Sequence, residues 1–565
     1  MLRRAWPVYA LLLVVRILIA FTSTSFIHPD EHFQNPEVAA DLVFKYDSAG
    51  DGLLETWEWT GDSPCRSIVP VFGSTGLAFA VLRAVVGTDP STRALFVAQR
   101  GIMLLFSFVL DYLVWTTSRS DLSLLLFASS PLTFTFLLRA FSNTLEGFLL
   151  ALSFSSLNRI LVKASPRSLA FLGTVLSLGF FTRITFIAFA TPLVVATVVR
   201  LSARTFWDQG LMSGLVRLLA LGLPAALSFV ATSLLLSLLD TLYFTSTFPL
   251  SPTRFILTPL NFLRYNLSSE NLASHGLHPR YLHVLVNWPM LFGAGLAMVW
   301  SAVLSRGGVE KQDGKKAESR RRVYLASFVI PTLLLSIQPH QEPRFLIPLV
   351  IPLVLLAPYA SFFRSGRRGA VFARRAFWTL WILHTILFTA LFGYLHQGGL
   401  LPALFELNAE FRRPSSELSG ANQIDLVFWK TFMPPRHLLL PAGSTAFPAI
   451  RIVDLAGAPV PSLLSTLSSA MHPPLATHER SNDLRHPVLL VAPAYIVDKV
   501  ALACNSSSAP TENGRITAAD APVCLEEYLG GASFGVHVDM DRLDEYFSAS
   551  SRRRVGVGVW KVQRR

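Results

Sequence analysis

The chain has 565 residues, 52% hydrophobic and only 15% charged, with a mean hydropathy of +0.46. Soluble domains carry about 25% charged residues, so the composition excludes a soluble globular enzyme and points to a polytopic membrane protein. The net charge of +13 does not indicate nucleic acid. The basic residues cluster in short stretches between apolar runs, as cytoplasmic loops facing anionic lipid do.

Arg3 and Arg4 precede an apolar run over 6–27, which is about the length that crosses a bilayer. The positive-inside tendency places the N-terminus in the cytosol, and a cleaved signal peptide is the rival reading. Either way the stretch that follows, HPDEHFQ from His28 to Gln34, emerges on the far side. Asp30 and Glu31 there sit where a membrane helix meets water, a place where a carboxylate can be ionised yet partly desolvated. Pro29 discourages a simple helical continuation, and His28 and His32 bracket the acidic pair. The pair is a candidate catalytic base, with a polar cap after a membrane helix as the plain alternative. The acidic loop continues to about residue 67 and holds Trp57 and Trp59 in TWEW. Rings beside carboxylates suit sugar stacking, and equally an interfacial aromatic belt.

Further apolar runs follow at 68–87, 94–115, 122–138, 144–162, 169–199, 211–244, 281–304, 323–337, 345–363 and 377–396. With the first run they predict about 11 spans. Basic clusters at 311–322 and 364–375, and Arg200, Arg204 and Arg217 in another interval, fall on the cytosolic side by parity. The sequons at Asn266 and Asn505 fall on the lumenal side, where Asn-x-Ser/Thr can be glycosylated. Three cysteines have no metal-ligand spacing, and a disulfide between Cys504 and Cys524 would leave Cys65 free. The expected organisation is a membrane domain over 1–400, with its catalytic first loop at 28–67, and a lumenal C-terminal region over 401–565 of α/β character. Its strand-like pieces include 487–492.

Ionisable residues within or beside apolar runs are costly and usually functional. Arg139 and Glu146 in RAFSNTLE are seven residues apart, about two turns, so they share a face if that segment is helical. Arg183, Asp240, Glu342 and Arg344 are of the same kind. They suit either internal ion pairs or a polar cavity, in which an arginine fork could hold a phosphate. His275, His278, Arg280 and His283 lie in a polar loop entering a span. Their spacing matches no structural zinc pattern, and hydrogen bonding to an acceptor's sugar or phosphate groups is the better functional reading.

Taken in order, HPDEHFQ, TWEW, RSIVP (66–70), RAFSNTLE, NFLRYN, NLASHGLHPRYLH, HQEPRFLIPL, YLHQGG (394–399) and FMPPRHLL (432–439) resemble the mannosyltransferases of glycosyltransferase family 22 over residues 6 to 440. The resemblance implies an all-α polytopic membrane protein of GT-C fold in the endoplasmic reticulum membrane. It also implies a lumenal active site fed by dolichyl phosphate mannose, in the assembly of N-glycan or glycosylphosphatidylinositol (GPI) precursors. The variant here looks most like the GPI branch, and within it like addition of the fourth mannose by an α-1,2 link, with the third mannose as the alternative. A β-linked donor giving an α-linked product implies inversion. By the family pattern Asp30 is the base, and Glu31 orients the acceptor or shares the role. The leaving phosphate would meet Arg344 with His340 beside it, or else Arg280 and His278. His28, Arg66, Arg139, Glu146, His275 and Glu342 complete the expected substrate-binding set. No metal or cofactor is expected, because the phosphate already leaves as a good anion. A lipid transporter or flippase, which would move lipid without forming a glycosidic bond, and a noncatalytic subunit, which would tolerate change at Asp30, are the readings from other classes.

Overall fold

In a computed structural model the described residues are 2–46, 52–61, 63–202, 211–247, 255–268, 271, 276–304, 314–441, 449–471, 486–500, 523–529, 534–547 and 555–564. His275, Arg204, Cys504 and the Asn505 sequon, singled out above, lie outside them. The chain divides into two compact units, neither a continuous stretch. One comprises Met1–Ala20, Thr56–Ser74 and Ile102–Leu387, the other Phe21–Glu55, Thr75–Gly101 and Phe388–Arg565.

Among the described residues seven helices are long and apolar enough to cross a membrane: Ala5–Thr22, Ile68–Val86, Thr92–Ser118, Ser142–Val162, Met212–Thr245, His283–Leu304 and Arg368–Leu395. Asp121–Ala128 and Pro131–Leu138, bent by 49° at Ser129–Ser130, make an eighth if taken as one span. The expected eleven is therefore not reached by length and composition. The run at 169–199 resolves into two helices, Pro166–Thr182 and Phe186–Ser202. The run at 345–363 breaks into 3₁₀ and short α pieces because Pro348, Pro352 and Pro358 interrupt it. The run at 323–337 is the second half of the helix Gly314–Ser336, whose first turns are basic.

Within the first unit the helix Pro166–Thr182 lies against Leu211–Thr245 so closely that a Cβ on Gly173 would stand 2.1 Å from the Ala225 carbonyl oxygen. Small residues allow such approach between apolar helices, and hydroxyls then bond across. Ser228 donates to the Ala170 carbonyl at 2.7 Å and Ser177 meets Ser233 at 2.9 Å. An ion pair fixes another contact: Arg16 reaches Asp111 at 2.7 and 3.1 Å, and the Tyr9 hydroxyl donates to Asp111 at 3.0 Å.

The second unit carries a five-stranded sheet ordered β2-β1-β3-β5-β4, with β1 (Gln423–Phe428), β2 (Ala449–Asp454), β3 (Val488–Pro493), β4 (Val523–Glu527) and β5 (Val557–Arg564). The first three strands are parallel and β5 runs antiparallel to both β3 and β4. Central β3 is apolar and buried at all six positions, as a strand covered on both faces must be. Trp429, Leu463, Leu467 and Tyr495 pack on the sheet. The strand expected at 487–492 and the α/β character of the tail are thus both present. Cys524 in β4 is disulfide-bonded, while Cys65 keeps a buried free thiol that burial pushes up to about 11.

Candidate active site

The HPDE loop belongs to the second unit, and its entry shows why the first helix ends at Thr22 rather than at 27. Ser25 N–H donates to the Gly393 carbonyl at 3.4 Å and Phe26 N–H to His396 at 3.2 Å. The backbone there is bonded to distant chain instead of continuing a helix. The partner segment is YLHQGG. A Cβ at Gly398 would stand 1.9 Å from the Tyr394 carbonyl oxygen and 2.5 Å from that of Val536, so that motif needs glycine for close backbone approach.

After Pro29 the chain makes one turn of helix, Asp30–Phe33. Its two acids have different environments. The Asp30 side chain keeps 21% exposure beside His28, whose Nδ1 lies 3.5 Å away, and it accepts a hydrogen bond from Gln34. The Glu31 side chain is 2% exposed. Its Oε1 accepts from Arg100 at 2.9 Å and its Oε2 from the Ile27 N–H at 3.2 Å. Farther along the loop Glu37, also buried, accepts from the backbone N–H groups of Leu54, Arg436 and His437 and meets the His437 ring. The other ring nitrogen of His437 lies 3.2 Å from Gln99 Oε1. FMPPRHLL is therefore the clasp on this loop. Arg100 and Gln99 carried no sequence signal beyond being polar within an apolar run.

The remaining candidates lie in the first unit. Arg66 pairs with Glu58 of TWEW at 2.6 and 3.0 Å and sits over the Phe262 ring at 5.1 Å. Ser67 Oγ and the Ile68 N–H both bond Asp240, at 2.8 and 3.0 Å, and Thr258 bonds its second oxygen at 2.9 Å. RSIVP, Asp240 and the start of TPLNFLRYN are thereby tied together. Trp59 is buried and so closed to a sugar, while exposed Trp57 already stacks on Tyr265, with centroids 4.0 Å apart.

Arg139 and Glu146 do not share a helical face. The helix starts at Ser142, and Arg139 sits before it in extended backbone, its guanidinium donating to the Thr135 carbonyl at 3.1 Å. Glu146 instead meets Arg183 at 3.3 Å and accepts from Asn143 at 2.9 Å and Thr185 at 2.6 Å. Arg183 also donates to Ser142 at 2.8 Å and lies over the Phe345 ring at 5.4 Å, with Arg344 over the same ring at 5.5 Å.

In HQEPR, Glu342 holds His340 Nε2 at 2.7 Å and Arg344 Nη2 at 2.9 Å. Burial lowers the proton affinity of His340, and the hydrogen bond to Glu342, the attraction of its charge and a bond to the Gly276 carbonyl together outweigh that, leaving a net raised pKa. His278 Nδ1 accepts from the Gln341 N–H at 3.2 Å, and exposed Arg280 offers its carbonyl to Gln341 at 3.4 Å. Arg344, His340, Glu342 and His278 are thus one cluster, with Arg183 joined to it across Phe345. Among the described residues no group of three or more His, Cys, Asp or Glu is arranged to hold a metal ion.

Apolar helices, buried arginine–carboxylate pairs and a half-open aspartate on a pinned loop have the build of a multi-pass membrane enzyme acting on polar groups. Residues 7–441 match the Alg9-like mannosyltransferase family, and the chain belongs to that family of mannosyltransferases. It is 32% identical to the GPI mannosyltransferase 4 of Aspergillus oryzae over 98% of each chain. To the human GPI alpha-1,2-mannosyltransferase 4 it is 35% identical over 84% of this chain and 82% of that one. Among solved structures it has a TM-score of 0.46 and 12% identity to ArnT from Cupriavidus metallidurans bound to undecaprenyl phosphate, over 98% of this chain and 97% of that one. That likeness is too slight to carry an argument.

Proposed function

We propose that this chain transfers mannose from dolichyl phosphate mannose to a GPI anchor precursor in the lumen of the endoplasmic reticulum. It forms the α-1,2 link of the fourth mannose on a GT-C framework. The observation that carries this reading is the similarity to two proteins named for that step, 32% and 35% identical over most of their lengths. In the reaction, the acceptor hydroxyl oxygen bonds to the mannose C1 while its proton passes to the Asp30 carboxylate. The bond from C1 to the phosphate oxygen breaks on the opposite face, inverting β to α and releasing dolichyl phosphate. Asp30 suits this role because its carboxylate is part-open, whereas that of Glu31 is committed to Arg100.

Charge on the departing phosphate falls to Arg344 and His340, with Arg280 and His278 as the second choice. His28, Arg66, Arg139, Glu146 and Glu342 act on substrate directly or by holding those groups, and His275 belongs to the same expected set. The transfer as written uses no metal and no cofactor.

The test is expression of wild type and Asp30→Asn in cells lacking the fourth-mannose activity, with lipid precursors resolved by mannose count. Wild type should convert the three-mannose precursor to the four-mannose form. Asp30→Asn at equal abundance should lose at least about 10²-fold, the usual contribution of a general base. Elongation of the two-mannose precursor instead would move the acceptor to the third-mannose step. An active Asp30→Asn would remove Asp30 as base, and lipid movement without a new glycosidic bond would indicate a transporter.

A further inference from the structure

The Glu31–Arg100 pair is buried on both sides, with side-chain exposures of 2% and 1%, and is closed by an N–H···O bond from Ile27. The Arg100 guanidinium also lies 5.0 Å from the Phe96 ring centroid, so its position is set by packing as well as by charge. One residue earlier, Gln99 meets the His437 ring that clasps Glu37. Adjacent positions of one helix therefore hold the acidic loop at two points six residues apart in that loop. Successive residues in a helical turn point about 100° apart. Holding Glu31 inward therefore sets the direction of Asp30 beside it; His28 Nδ1 accepts from the Asp30 N–H at 3.2 Å, and Gln34 donates to the Asp30 carboxylate.

We infer that Arg100 is a positioning residue for mannosyl transfer that acts through Glu31, and that Glu31 is the lever which aims Asp30 rather than a second base. The inference rests on the reading of Asp30 as base. An error in aim of about 1 Å at a reacting group costs on the order of 10²-fold in rate, which is the size of effect at stake.

The experiment uses the full chain in membranes, assayed per amount of protein on whichever acceptor wild type elongates, the three-mannose precursor or the two-mannose one. The variants are Arg100→Met, Arg100→Lys, Glu31→Gln and the double Glu31→Met/Arg100→Met. Arg100→Met leaves a buried carboxylate without its partner, and the expected result is a kcat lower by about 10- to 100-fold with KM within about twofold. Arg100→Lys should recover part of that loss. Glu31→Gln, which still accepts from Arg100, should keep at least about a tenth of wild-type kcat. The double variant buries no lone charge, and should exceed Arg100→Met by about fivefold or more, the non-additivity expected of a contacting pair. That rescue also guards against Arg100→Met failing to fold.

A fall of Glu31→Gln to the level of Asp30→Asn would put Glu31 in the chemistry and overturn the inference. A rise in KM at constant kcat, or a double variant no better than Arg100→Met, would overturn it too. Wild type elongating neither acceptor would instead remove the transferase reading, and is recognised before any variant is compared.

Discussion

The HQEPR cluster in one unit and the HPDE loop in the other both hold a glutamate between cationic or imidazole partners, and they assemble them differently. Glu342 meets His340 and Arg344, each two residues away. Glu31 meets Arg100 at a separation of 69 residues, and Glu37 meets His437 at 400. The first cluster is part-open, with side-chain exposures of 18% for His340 and 17% for Glu342, while the second is sealed. A local, part-exposed pair forms at little entropic cost and is screened by solvent, so it contributes about 0.2–1 kcal/mol. A sealed pair is different, because removing one partner strands the other and costs about 3–5 kcal/mol. The local cluster can thus be broken at little cost, and the long-range one is suited to fixing a loop.

The difference can be broken most directly at His437. His437→Ala should destabilise the protein by about 2–3 kcal/mol, since Glu37 keeps its three backbone donors but loses the ring. Thermal unfolding in detergent measures this, and a cost under about 0.5 kcal/mol would mean the clasp is not an anchor.

A somewhat smaller effect is expected from pH in the same unit. Burial, with His396 nearby, depresses the buried His537 to about 3. The unfolded chain then binds the proton first, so stability falls as pH drops below about 6.5, by about 2 kcal/mol at pH 5. His537→Gln should flatten that slope in unfolding scans at pH 7.5 and 5, and an unchanged slope would remove His537 as its source.

The smallest effect belongs to HQEPR, where Glu342→Gln should cost no more than about 1 kcal/mol. His340 has a raised pKa, so the pair's contribution is full below the ordinary histidine range and is lost as pH rises through the folded value. Glu342→Gln should abolish that dependence. A cost for Glu342→Gln above that for His437→Ala would reverse the comparison.

Local features were legible in the sequence. HPDEHFQ is legible as an acidic stretch after an apolar run, HQEPR as ionisable residues beside apolar runs, and 487–492 as a strand, found at Val488–Pro493. Spacing misled where it assumed regular structure. Arg139 and Glu146 share a face only if the segment between them is helical, but the backbone at Arg139 is extended and a different arginine, Arg183, reaches Glu146. The count of about eleven spans is not confirmed, since by length and composition seven of the described helices qualify, or eight with the bent pair. An apolar run is evidence of burial in lipid or protein, and does not itself tell where Arg183 ends one helix before the next begins at Phe186. Arg100 and Gln99 were not legible as site residues, since nothing near them in sequence is acidic.

By itself the sequence determined the membrane class, the places of the apolar runs and, through its ordered motifs, the family. Hydropathy sums over neighbours and motifs are contiguous, so both are properties of the chain as written. Only the tertiary structure decided which of two adjacent acids is open and which is pinned, because that depends on a guanidinium 69 residues away and a clasp 400 residues away. Electrostatic and hydrogen-bond energies depend on distance in space, and for these residues distance along the chain says nothing about it.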